Sequence, residues 1–127
     1  MKIDHVSLYV RDLEAMRAFY QIHFGATSNP KYHNAHTGLS TYFLSFESGA
    51  KLELMHRIDA IDGEKPLARN GFIHLSFAVG SPAEVVRLTE QLRSAGCPVI
   101  SGPRTTGDGY FESCVLDPEE NQIEITV

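Results

Sequence analysis

Residues 3–10 read IDHVSLYV, and residues 72–79 read FIHLSFAV. In both stretches apolar and more polar side chains alternate from the His onward, the period of two that marks a half-buried strand. In the first, His5, Ser7 and Tyr9 share one face and Val6, Leu8 and Val10 the other. In the second, His74, Ser76 and Ala78 oppose Leu75, Phe77 and Val79. Each half of the chain also ends on a strand that carries a carboxylate. Glu53 shares a face with Met55 and Arg57, against Leu52, Leu54 and His56. Glu124 shares one with Gln122 and Thr126, against Ile123, Ile125 and Val127.

The two patterns are copies of one another. His74 follows His5 by 69 positions, and Glu124 follows Glu53 by 71. Parity puts all four residues on the more polar face of their strands. Any one of them alone reads as a solvated side chain. Together, two imidazoles and two carboxylates are a donor set for a divalent ion, so His5, Glu53, His74 and Glu124 are the candidate metal ligands.

The segments between these strands repeat as well. Asp12 offers an N-cap, Leu13, Met16 and Tyr20 recur at helical spacing with Phe19 and Phe24 widening the stripe, and Gly25 is a helix stop. In the second half Ser81-Pro82-Ala83-Glu84 combines a capping box with Pro at the first helical position. Val85, Leu88 and Leu92 carry that helix's apolar face, and Gly96 ends it. Residues 42–46 and 51–56 read as one hairpin, 111–116 and 122–127 as another, and 98–100 as a short strand. Residues 26–41 show no period, and 58–70 are charged and read as a connector. The offset is too long for a solenoid unit. The expectation is an α+β chain forming one domain over 1–127. It has two βαβββ modules, about 1–57 and 71–127. They build a curved, barrel-like mixed sheet, as one shared sheet or two facing half-barrels, with a polar concave side and helices on the outer face.

Composition sets the outer limits. The 127 residues are 43% hydrophobic and 21% charged, ordinary for a globular domain. A net charge of −5 gives no basic footprint for nucleic acid. No apolar run approaches the ~20 residues of a membrane span, and the first residues lack a signal-peptide pattern, so the expected location is cytoplasmic. Cys97 and Cys114 lack a CxxC spacing and read as free thiols.

IDHVSLYVRDLEAMRAFYQIHFG, KLELM, FIHLSFAV and VLDPEENQIEITV together resemble the paired βαβββ modules of the vicinal oxygen chelate superfamily. That group includes glyoxalase I (lactoylglutathione lyase), bleomycin and fosfomycin resistance proteins, extradiol dioxygenases and methylmalonyl-CoA epimerase. The resemblance implies the four ligands of glyoxalase I at His5, Glu53, His74 and Glu124. The epimerase has Gln at the second position, and the dioxygenases and fosfomycin enzymes use three ligands, so Glu53 is the discriminating residue. The implied reaction is that of a metal-dependent lyase or isomerase, with proton transfer α to a carbonyl through a metal-stabilised enediolate. Glu124 is the implied base and Glu53 the alternate proton carrier. One divalent ion per site, Ni, Co or Zn, and a homodimer are also implied. In such a dimer each site takes one His–Glu pair from each chain.

The chain departs from the family in two places. The usual Gly of the DPDGN ending is Glu120 here. The Arg and Asn that hold glutathione in bacterial glyoxalase I are replaced by Tyr9 and Arg57. The expected partner is therefore a small molecule, such as a thiol adduct of an α-oxoaldehyde, with the thiol open. Tyr9, Arg57, Tyr110 and Arg104 are candidate substrate contacts, and Arg104 also reads as a plain surface Arg. His33 and His36 are either a second metal pair or solvated loop residues. Another superfamily enzyme, a thiol transferase or dioxygenase, and a metal-free drug-binding resistance protein are the competing readings.

Overall fold

A computed structural model describes residues Met1–Val127 and divides them into two compact units, Met1–Asp62 and Gly63–Val127. The alternation at residues 3–10 becomes β1 (His5–Tyr9). It leads into α1 (Leu13–Phe24), whose first turn is capped by Asp12 accepting from the Ala15 N–H at 2.9 Å. The helix stops at Gly25, where φ is 66° and the left-handed turn needs a residue without Cβ. Four more strands follow: β2 (Thr27–Ser28), β3 (Tyr32–His33), β4 (Ser40–Ser45) and β5 (Lys51–His56). They form a mixed sheet in the order β1-β5-β4-β2, with β3 also on β4 and β1 parallel to β5. Leu13, Met16, Phe19 and Tyr20 of α1 are buried, as are Tyr42, Leu44, Leu52 and Leu54 of the sheet it covers. Fully burying a leucine side chain contributes about 1.5–3 kcal/mol, so this one face holds the unit together.

The second unit repeats the plan. It contains β6 (His74–Ala78), α2 (Pro82–Ser94), β7 (Val99–Thr105), β8 (Phe111–Leu116) and β9 (Gln122–Thr126). The sheet order is β6-β9-β8-β7, again with the first and last strands parallel. Ser81 Oγ accepts from the Glu84 N–H at 3.3 Å, and Pro82 opens the helix. Val85, Leu88 and Leu92 are buried with Val115, Ile123 and Ile125 of the sheet. Thr89 and Ser113 pair their hydroxyls at 2.6 Å inside that layer, so neither buried polar group is left unbonded.

Several boundaries differ from the sequence reading. Of the two arrangements the sequence leaves open, one shared sheet or two, the strands form two, one per unit. Residues 26–41 are not wholly irregular: β2 and β3 are two-residue strands, too short for periodicity to register, and β4 begins at Ser40. The strand read at 98–100 runs on to Thr105. Gly102 and Pro103 look like a break, but the ladder to β8 shifts register between Ser101 and Arg104 and carries the strand through. At Gly102 φ is 78°, and a Cβ there would lie 2.5 Å from the Glu112 carbonyl oxygen. Glu120 has φ 67°, the conformation for which the family's usual Gly is suited. Val6, Leu8, Leu75 and Phe77 are half-buried, because β1 and β6 lie at the ends of their sheets.

Candidate metal centre

In β1 and β5 the parallel register places His5 beside Lys51 and Ser7 beside Glu53. The His and Glu are therefore diagonal neighbours on one face, and His5 Nε2 lies 3.8 Å from Glu53 Oε2. The other ring nitrogen, Nδ1, is 2.9 Å from Asp4 Oδ2. When it donates there, Nε2 carries the lone pair. Ser7 Oγ donates to Glu53 Oε2 at 2.5 Å. The Phe43 ring stands edge-on to His5 at 5.4 Å. Asp4's carboxyl is held below its ordinary value, first by the hydrogen bond with His5 and then by the charge of Lys51.

The second unit builds the same diagonal. His74 pairs with Gln122 and Ser76 with Glu124, and His74 Nε2 lies 3.6 Å from Glu124 Oε2. Ser76 Oγ donates to Glu124 Oε1 at 2.6 Å. The accessory carboxylate here stands beside the glutamate rather than the histidine. Glu112 of β8 interacts with the Glu124 carboxylate, and its own carboxyl is raised by burial first and then by the Glu124 charge. Arg104 opposes this weakly, its Nη2 being 3.9 Å from Glu112 Oε1. Burial also raises the Cys114 thiol, with Glu124 and Glu112 adding to the effect. Such a thiol stays protonated and is a poor nucleophile.

The donor chemistry fits a divalent ion. Metal–nitrogen and metal–oxygen bonds of about 2.1 Å span at most about 4.2 Å between the two donor atoms. Both His–Glu separations, 3.8 Å and 3.6 Å, lie within that span. They are also too long for a direct hydrogen bond. Side-chain exposure is 40% and 16% for His5 and Glu53, and 37% and 21% for His74 and Glu124, so all four reach the surface of their sheets. Within each unit the pair stands alone, with no third His, Cys, Asp or Glu completing a ligand cluster.

Tyr9 is exposed at the end of β1, and Arg57 follows β5. Arg57 is engaged by Asp59 through two hydrogen bonds, Nε to Oδ1 at 2.8 Å and Nη2 to Oδ2 at 2.5 Å, which raise the guanidinium and lower the Asp59 carboxyl. Tyr110 is exposed in the turn before β8, where its N–H is bonded by Thr106 Oγ1. Arg104 faces Glu112 across the β7–β8 ladder. His33 lies on β3 with Nδ1 2.9 Å from Ser40 Oγ, and His36 sits in a turn organised by Asn34. His56 Nδ1 bonds the Val10 carbonyl oxygen at 3.0 Å on the helix side, the side that parity gives it.

Asp4, Ser7, Ser76, Lys51 and Glu112 were not singled out by sequence. Strand parity already placed the two serines beside the histidines. Glu112 has no such signal, because its proximity to Glu124 depends on β8 lying next to β9. Beside His5 the first unit also opens a hollow of about 480 Å³, lined by Thr27, Asn29, Phe43, Ser45 and Lys51 among others.

Comparison with known proteins agrees with this architecture. The model of the Glyoxalase/Bleomycin resistance protein/Dioxygenase superfamily matches residues 2–125. The uncharacterized protein YqjT of Bacillus subtilis (strain 168) is 27% identical over 128 residues, covering 95% of this chain and 94% of that protein. Among solved structures, lactoylglutathione lyase from Agrobacterium tumefaciens is similar at 25% identity and a TM-score of 0.70, over 98% of this chain and 91% of that one. The trypanothione-dependent glyoxalase I of Leishmania major shares the fold, with a TM-score of 0.79 at 20% identity over 99% of this chain and 86% of that one.

Proposed function

Because this chain belongs to the Glyoxalase/Bleomycin resistance protein/Dioxygenase superfamily, we propose that it is a metal-dependent lyase or isomerase resembling glyoxalase I. The reaction is proton transfer α to a carbonyl of a small thiol adduct. One observation carries the reading: each unit presents the same in-register His–Glu pair, with Nε2 and a carboxylate oxygen 3.6–3.8 Å apart. A three-ligand oxygenase has no use for Glu53, and a drug-sequestering protein has no use for either pair.

In this reading His5, Glu53, His74 and Glu124 hold one divalent ion, nickel, cobalt or zinc. The functional form is a homodimer in which His5 and Glu53 of one protomer meet His74 and Glu124 of its partner. The ion supplies Lewis-acid polarisation of the substrate carbonyl when bound. Glu124 removes the proton from the carbon beside that carbonyl and delivers it to the neighbouring carbon, with Glu53 as the alternate proton carrier. The hollow beside His5 gives the adduct room, and Lys51 is the cation among its lining residues. Arg57 is already engaged by Asp59, which supports a thiol other than one gripped at the Tyr9 and Arg57 positions.

The test is a metal assay on protein purified without chelator or nickel resin. It is followed by a panel of hemithioacetals made from methylglyoxal and different thiols, run with Ni, Co and Zn. Metal-dependent isomerisation of at least one adduct is expected. Absence of bound metal, with no gain on adding any, would sink the proposal.

A further inference from the structure

We infer that Ser7 and Ser76 are positioning residues for the two candidate carboxylate ligands, each fixing one oxygen of its glutamate. The inference rests on the metal-centre reading above and goes beyond it, since neither serine belongs to the four-donor set.

The geometry is specific. Ser7 Oγ donates to Glu53 Oε2 at 2.5 Å, and Ser76 Oγ donates to Glu124 Oε1 at 2.6 Å. Both lengths are those of a charge-assisted bond from a hydroxyl to a carboxylate. They arise from the same register: Ser7 is the direct partner of Glu53 in the parallel β1–β5 ladder, and Ser76 the direct partner of Glu124 in β6–β9. Each serine also stands two residues after its histidine, on the same face. The imidazole, the hydroxyl and the carboxylate thus converge in each unit.

A single serine bonding a nearby glutamate on an open strand face is unremarkable. Here the contact occurs in two units whose neighbouring residues differ. Lys51 lies beside His5 where Gln122 lies beside His74, and the next residue on the serine's face is Tyr9 in the first unit and Ala78 in the second. What is common to both is the His–Ser–Glu triangle alone. A glutamate has three side-chain torsions, and those of Glu53 and Glu124 reach solvent from a sheet surface. A fixed hydroxyl donor removes much of that freedom before an ion arrives, the arrangement by which groups outside the ligand set tune metal affinity. In the second unit Ser76 takes Oε1 and leaves Oε2 as the oxygen on the His74 side.

The test uses full-length protein stripped of metal and titrated with Co²⁺, following both affinity and the visible absorption of the bound ion. Ser7→Ala and Ser76→Ala are expected to weaken binding by about 10-fold or more and to change the absorption bands. Ser7→Thr and Ser76→Thr, which keep the hydroxyl, are expected to restore both. Because both serines are exposed, the metal-free alanine variants should melt like the parent. Alanine variants with unchanged affinity and spectrum would overturn the inference and leave the metal centre standing. Affinity lost only alongside a lower metal-free melting temperature would overturn it too, by showing a structural role. A parent protein that binds none of Co²⁺, Ni²⁺ or Zn²⁺ would overturn the centre and this inference together.

Discussion

The two units present the same His–Glu diagonal on the same parallel strand pair, but they surround it differently. In the first, Asp4 anchors the histidine through Nδ1, and Lys51 stands over the Phe43 ring. In the second, the accessory group lies on the carboxylate side: Glu112 crowds Glu124, with Arg104 only loosely opposing it. The serine contact differs as well. Ser7 bonds the oxygen that faces His5, whereas Ser76 bonds the oxygen turned away from that role. Duplicated backbone geometry has been fitted with unlike neighbours. The first unit is organised to hold its imidazole. The second has Ser76 on one oxygen of its glutamate and a further carboxylate, Glu112, beside it.

The largest expected effect tests that division directly. Glu124→Gln should lower kcat by about 10³-fold, within the range for loss of a general base, with little change in melting temperature. Glu53→Gln should cost less, because an amide oxygen still ligates an ion. Equal losses in steady-state kinetics would erase the distinction between the units.

A second break is structural. Gly102→Ala should destabilise the protein by about 2–4 kcal/mol in chemical denaturation, from a positive φ combined with a backbone clash, because the new Cβ meets the Glu112 carbonyl and Ser113 Cα. No glycine interrupts the strands of the first unit in this way, and an alanine at exposed Gly63, where nothing lies within 4 Å, should be nearly silent.

Lys51→Glu should sharpen the contrast at the substrate level. The KM for thiol adducts carrying a carboxylate should rise about 10-fold, the order of one charge-assisted hydrogen bond, while neutral adducts are unaffected. A uniform rise across the panel would remove Lys51 from substrate recognition.

The hairpin turns differ too. Gly49 holds φ 89° between β4 and β5, whereas Glu120 holds φ 67° between β8 and β9. Glu120→Gly should therefore stabilise by up to about 1 kcal/mol, and Gly49→Ala should destabilise by a similar amount, both read as melting temperature.

The smallest effect is a pair of opposite pH dependences. Asp4's carboxyl is lowered in the folded protein, so its contribution is present above the ordinary carboxyl value and fades as pH falls through the folded one. Glu112's carboxyl is raised, so the folded state binds the extra proton and stability falls as pH rises from the ordinary value through the folded one. Asp4→Asn should thus slightly destabilise metal-free protein at neutral pH, and Glu112→Gln slightly stabilise it, with both differences vanishing in acid. Denaturation midpoints measured across that range would show whether the signs hold.

Much of the fold is legible in the sequence. Alternation at 3–10 and 72–79, the capping residues Asp12 and Ser81, and the stops at Gly25 and Gly96 define the two strand–helix openings. They do so because burial of one face and satisfaction of helix ends are local requirements. Parity also placed the four candidate ligands on the open face of their strands, where the structure has them. The short strands β2 and β3 and the extension of β7 past Gly102 were not readable. Two residues carry no period, and a bulge continues a ladder through residues that locally signal a break.

Sequence alone therefore determined the repeated module, its buried face and the His–Glu pair in each copy, since these follow from side-chain spacing along single strands. Only the tertiary structure decided that the strands form two sheets, that Ser7 and Ser76 stand opposite the glutamates, and that Asp4 serves one pair while Glu112 presses on the other. Those facts depend on which strands are neighbours and in what register, and hydrogen bonding between distant segments fixes that, not the local pattern of either one.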